Sequence, residues 1–168
     1  MGLRTWSAVC AVATMVVLAP GYCGPASADD REQCKTEKGD AAIAACTRAI
    51  ESKKFKRKKF KRTLSLLYSN RGVEYELKKE YDKAIADHNE AIKIDPKNHA
   101  AYNNRGNAYV AKGSFDLAIA DYDQAIKLDP KYADAYFNRA IAKRNKGDFS
   151  GADADIVQAK ALNPAIGN

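Results

Sequence analysis

Tyr68-Ser69-Asn70-Arg71-Gly72, Tyr102-Asn103-Asn104-Arg105-Gly106 and Tyr136-Phe137-Asn138-Arg139-Ala140 are one short phrase written three times, 34 residues apart. The same step carries Tyr81 to Phe115 and Phe149, Ala84 to Ala118 and Ala152, Ala91 to Ala125 and Ala159, and Pro96 to Pro130 and Pro164. A period of this length marks a stacked-repeat architecture. The units run 65–98, 99–132 and 133–166.

Each unit reads as two helices. Ala118, Ile119, Tyr122, Ala125 and Ile126 fall on one helical face, with Asp116, Asp121 and Asp123 before or between them. The repeated acids Asp87, Asp121 and Asp155 are therefore expected on a solvated face. Tyr102, Gly106 and Tyr109 belong to the preceding helix, Lys112-Gly113-Ser114 turns between the two, and Asp129-Pro130 ends the pair, since proline disfavours helix at the residue before it. Gly72, Gly106 and Ala140 let the paired helices approach while aromatic side chains fill the space around them. One pair cannot bury its own apolar face, so successive pairs must stack.

These motifs resemble the tetratricopeptide repeat (TPR) family, and three copies in register make the resemblance specific. It implies an all-α fold: a right-handed superhelix of antiparallel helix pairs, with the first helix of each pair lining a concave groove. The departures are informative. Arg71, Arg105 and Arg139 stand where the family usually has leucine; His88 replaces the aromatic seen at Tyr122; Lys143 replaces the tyrosine seen at Tyr75 and Tyr109. Residues 29–50 resemble a shortened unit, because Ala42-Ile43, Cys46 and Ala49-Ile50 match Ala84-Ile85, His88 and Ala91-Ile92. Its first helix is expected as a stub beginning near Asp30.

The resemblance also implies a site. Asn70, Asn104 and Asn138 occupy a groove-facing position, where amides donate and accept together. Such a ladder pairs with an extended peptide backbone and resembles that of the O-GlcNAc transferase repeats; local capping or bonding is the alternative. Val73, Val110, Phe137 and Ile141 are expected to make the groove partly apolar, suited to an apolar peptide or a partner helix. The carboxylate clamp of chaperone-binding TPR domains needs Lys and Asn where this chain has Ser69 and Val73, so a chaperone tail is not the expected ligand.

The first 28 residues read as a secretory signal peptide. Arg4 precedes an uncharged run from Trp6 to Leu18, Pro20-Gly21 breaks it, and Ala26-Ser27-Ala28 offers a cleavage site. The 13-residue run is short of the roughly 20 residues that span a bilayer. A retained anchor is the alternative; after cleavage the chain is not expected to be transmembrane, and its compartment is the periplasm or the outside of the cell. Cleavage removes Cys10 and Cys23 and leaves Cys34 and Cys46. An even pair in an exported protein favours a disulfide, and the pair is symmetric about Gly39-Asp40. Closing so short a loop contributes ~3 kcal/mol in the chain-entropy picture. Two buried free thiols are the alternative.

The 168 residues carry 28 basic and 21 acidic side chains, a net charge of +7. The segment 51–64 reads as a basic linker or helix extension and holds eight cations: Lys53, Lys54, Lys56, Arg57, Lys58, Lys59, Lys61 and Arg62. Cations this dense attract phosphate, sulfated glycans or anionic headgroups; a solvated linker is the alternative. Phe55 and Phe60 are free to insert or stack on this reading, although Phe60, Leu64 and Leu67 follow helical spacing. No phosphate loop, zinc pattern or nucleophile–base spacing is present, so no catalytic residue, metal, cofactor or dedicated nucleic-acid site is expected. The expected function is protein or peptide binding through the groove, with polyanion or membrane-surface binding through 53–62 as the second reading.

Overall fold

The computed structural model describes residues 28–167. The signal-peptide reading of residues 1–28 lies outside them, apart from Ala28 itself. The described residues form eight α-helices: α1 (Ala28–Thr36), α2 (Gly39–Glu51), α3 (Lys61–Leu77), α4 (Tyr81–Ile94), α5 (His99–Ala111), α6 (Phe115–Leu128), α7 (Ala133–Lys146) and α8 (Phe149–Leu162), with a short 3-10 turn at Lys58–Phe60 before α3. No strand occurs among them, and none of their helices is long and apolar enough to cross a membrane.

The helices pack as antiparallel pairs, α1 with α2 through α7 with α8, and each second helix also packs on the next first helix. The first helices α3, α5 and α7 touch in succession, whereas α4, α6 and α8 do not. A stack whose first helices lie closer than its second helices curves with the first helices inside. This is what makes the inner face a groove.

Alanine sets the helix spacing. Ala84, Ala91, Ala118, Ala125, Ala152 and Ala159 are fully buried at two recurring positions, and Ala42 and Ala49 of α2 take the same places in the shortened unit. The glycines act at closer range. A Cβ on Gly72 would lie 2.6 Å from the His88 ring, and one on Gly106 2.6 Å from the Tyr122 ring. The third unit has Ala140 where the smaller Ile156 is the partner, so residue size trades off across the helix pair.

The turn within each unit is left-handed at one residue: Lys79 (φ 62°), Gly113 (φ 73°) and Gly147 (φ 86°). It is closed by Glu80, Ser114 and Asp148 donating their backbone N–H to the carbonyls of Tyr75, Tyr109 and Lys143, at 2.8, 2.8 and 3.0 Å. This is a Schellman closure of the first helix. The shortened unit is pinned by the Cys34–Cys46 disulfide, with Cα atoms 4.7 Å apart.

The expected solvated face of Asp87, Asp121 and Asp155 is not what the structure shows. These carboxylates are 6, 6 and 5% exposed. Arg71, Arg105 and Arg139 each grip one of them through Nε and Nη2, at 2.7 and 2.7, 2.8 and 2.6, and 2.8 and 2.5 Å. A buried carboxylate needs a partner of this kind. The arginines at the leucine position are therefore the reason the acids can be buried.

Candidate functional site

The groove is the inner surface of α3, α5 and α7. On α3, Leu66, Asn70, Val73 and Glu74 meet Cys34 and Lys35 of α1 around a hollow of about 440 Å³. Leu66, 42% exposed, is shared with a second hollow of about 550 Å³, which Arg62, the Asp95, Lys97 and Asn98 side of the turn and the start of α5 complete. At the far end, Phe137, Ala140, Ile141 and Arg144 of α7 meet Ile156 of α8 around about 240 Å³. The sequence-predicted residues thus fall in two groups, Asn70 with Val73 and Phe137 with Ile141. Val110 packs in part against the cluster of Ala118, Tyr122 and Ala142 between them.

The three asparagines are half-buried on the successive first helices. Asn138 donates Nδ2 to Asn103 Oδ1 (3.0 Å), and Asn103 donates to Asn104 Oδ1 (3.3 Å). Asn103, 3% exposed, thereby ties α7 to α5. The sequence pattern overlooks it because its register position reads Ser69, Asn103 and Phe137 in the three units. Two ladder amides are thus oriented by a buried one, with further donor and acceptor capacity left over. Ser69 is 4% exposed and Val73 is apolar, so neither position presents a cation to the groove.

The arginines form a second repeated system behind the groove. Each guanidinium lies over its own unit's tyrosine, 5.5, 5.6 and 5.5 Å from the rings of Tyr68, Tyr102 and Tyr136. Each also donates Nη1 to the preceding second helix: Arg71 to Thr47 (2.9 Å), Arg105 to Asn89 (2.6 Å) and Arg139 to Asp123 (2.5 Å). Hydrogen bonding to the paired aspartate raises all three guanidinium pKa values, against the opposing effect of burial. Burial pushes the Asp155 carboxyl up, but the bonds and charges of Arg139 and Lys143 outweigh it and hold the pKa below the usual carboxylate value. Lys143 reaches that carboxylate at 2.8 Å, which accounts for a lysine at a tyrosine position.

The two histidines do not assemble a reaction centre. His88 is fully buried and pairs with Glu76 at 2.7 Å. His99 lies 5.0 Å from the ring of Tyr132, edge-on. Burial, with the charges of Glu76 and Asp121, pushes the Tyr122 phenol well above its ordinary pKa, and the hydroxyl donates to Asn107 at 2.8 Å. These groups hold helix pairs together. Among the described residues no group of three or more His, Cys, Asp or Glu side chains is placed to hold a metal.

All eight cations of the basic stretch are exposed. Its aromatic residues are not free: Phe55 is 3% exposed in a cluster with Cys34, Cys46, Ile50 and Leu67, and Phe60 packs edge-on against it at 5.6 Å.

The tetratricopeptide-repeat sequence profile matches residues 72–113 and 106–147. The Sgt2 TPR domain from Aspergillus fumigatus is 30% identical over 62% of this chain and 69% of its own, with a TM-score of 0.59. The chain belongs to the TPR family. The Arabidopsis OM64 TPR domain is similar at 28% identity, covering 62% of this chain and 87% of that one, with a TM-score of 0.61. The first TPR of Spaghetti (RPAP3), solved bound to the HSP90 peptide SRMEEVD, is 28% identical over 60% of this chain and 80% of its own, with a TM-score of 0.59. No curated protein sequence matches this TPR protein.

Proposed function

We propose that this TPR protein is a non-catalytic scaffold of the cell envelope that binds an extended peptide or a partner helix along its concave groove. The carrying observation is the hollow where Leu66, Asn70 and Val73 meet α1. It places an amide between apolar side chains on the face to which TPR first helices contribute. A main-chain partner gains hydrogen bonds from Asn70, Asn104 and Asn138 and burial against Val73, Phe137 and Ile141, with Val110 contributing what it leaves accessible. The HSP90 peptide bound by Spaghetti shows that a similar TPR domain takes a peptide. Ser69 and Val73 argue for a ligand of different chemistry here. The envelope assignment rests on the signal-like pattern of residues 1–28 and on the Cys34–Cys46 pair.

The test is affinity capture from envelope extract, comparing the parent with Asn70→Ala/Asn104→Ala/Asn138→Ala at low and high salt. A specific partner should survive high salt on the parent and be lost from the variant, while helicity stays the same. Equal capture by both chains, or loss of the partner at high salt, would reject the groove as the site, because amide and apolar contacts are weakly screened.

A further inference from the structure

The loop joining α2 to α3 is a basic segment anchored by its aromatic side chains. Its two phenylalanines face inward, onto the disulfide cluster. Lys54 lies over the Phe55 ring at 5.4 Å and Lys59 over the Phe60 ring at 5.1 Å. The remaining cations of the loop project around this anchored aromatic pair. No carboxylate among the described residues lies within salt-bridge distance of Lys53, Lys54, Lys56, Arg57, Lys58, Lys59, Lys61 or Arg62. By contrast, Lys78, Lys112 and Lys146 each pair with an aspartate of the preceding unit. Eight like charges without a carboxylate partner, six on the loop and two at the start of α3, repel one another and favour an anionic counter-surface.

The chain's path says which surface. Arg48, in the last turn of α2, holds Asp30, in the first turn of α1, at 2.7 Å. The start of α1 and the end of α2 therefore lie side by side, and the basic loop continues from α2. The described chain thus begins at the edge that carries the cations. Upstream, nine residues (19–27) separate Ala28 from the uncharged run Trp6–Leu18. Nine residues span at most about 30 Å, so in a chain that keeps the leader, the alternative to cleavage, a lipid-engaged run would hold the basic loop close to headgroups.

We propose that residues 53–62 dock this protein edge-on to an anionic lipid surface, leaving the groove open to a partner. Contact is electrostatic and at headgroup level, because Phe55 is buried in the core and Phe60 packs edge-on against it, so neither supplies a wedge. The inference stands apart from the groove reading; the two meet only at Arg62, which borders the second hollow and is left unchanged in the test.

The full chain is tested by co-sedimentation with vesicles of phosphatidylcholine, alone or with one-third phosphatidylglycerol. The leader is common to all chains, so the readout is the gain on adding the anionic lipid. Lys53→Gln/Lys54→Gln/Lys58→Gln/Lys59→Gln should reduce that gain about thirtyfold at low salt, the loss of two engaged cations. Salt near the physiological level should shrink it for the parent, as the Debye length falls to about 8 Å. The matching Lys→Arg variant should keep the gain, and circular dichroism should show equal helicity throughout. Replacing Lys38, Lys79, Lys83 and Lys112 by Gln lowers net charge equally at the turns within the units, on the opposite edge, and should leave most of the gain intact. An undiminished gain in the loop variant would overturn the proposal. So would an equal loss in the distant variant, or retention on heparin without any gain on phosphatidylglycerol, which would assign the loop to a sulfated polysaccharide.

Discussion

Removing the Arg105 guanidinium strands the Asp121 carboxylate, which keeps only 6% of its surface. Breaking one side of a buried pair costs ~3–5 kcal/mol. The Arg105 side chain is still 19% exposed, so Arg105→Leu should sit at the low end, about 3 kcal/mol. Adding Asp121→Ala should restore most of the loss, since the unpaired charge then disappears. Urea titration of both variants and of Asp121→Ala gives the coupling directly; a single variant within 0.5 kcal/mol of the parent would mean the pair is solvated after all. The sequence held a signal for these pairs, a constant 16-residue step from Arg71 to Asp87, Arg105 to Asp121 and Arg139 to Asp155. Helical periodicity does not reveal it, because the partners sit on different helices. Position along one helix assigned the acids to water, and only the packing of two helices shows them buried.

The shortened unit depends on its crosslink more than any other element does. Cys34 is the one buried apolar residue among the described side chains of α1, a helix of nine residues. So short a helix has little stability of its own. What holds it is the disulfide, the Arg48–Asp30 contact and the cluster that Phe55 completes. Closing a loop of this size contributes ~3 kcal/mol. Cys34→Ser/Cys46→Ser should therefore lose amide-exchange protection over 28–60, while α4 through α8 keep theirs, because a repeat contacts only its neighbours. Protection unchanged in α1 would show that packing alone suffices. The unit itself was legible in sequence, since Ala42 and Ala49 fall at the alanine positions of the full repeats. Inward-facing Phe55 was not: no periodic neighbour marks it, and its burial depends on the chain reversing between α2 and α3.

Across the whole molecule, each junction repeats two polar contacts. The arginine reaches Thr47, Asn89 or Asp123 of the preceding unit, and the lysine reaches Asp40, Asp82 or Asp116. At the corresponding places the last unit has Val157 and Ser150. Neither can accept a charged donor as an aspartate does, and on the same helix Val157 is 70% and Phe149 62% exposed. The polar junction thus has no carboxylate or amide acceptor at these two places of the last unit. In a stacked array, stability is a sum of unit and junction contributions, so the place where a unit is added should matter. A second copy of residues 99–132 inserted after position 132 finds acceptors before it and donors after it, and should raise the melting temperature. The same copy appended after position 166 should gain less: it covers Phe149 and Val157 but leaves its arginine and lysine without their partners. Restoring them with Ser150→Asp and Val157→Asp in the appended chain should recover part of the difference. Thermal melts of the three extended chains decide it. If the two aspartates lower the appended chain's melting temperature, apolar coverage and not the charged ladder sets the strength of a junction.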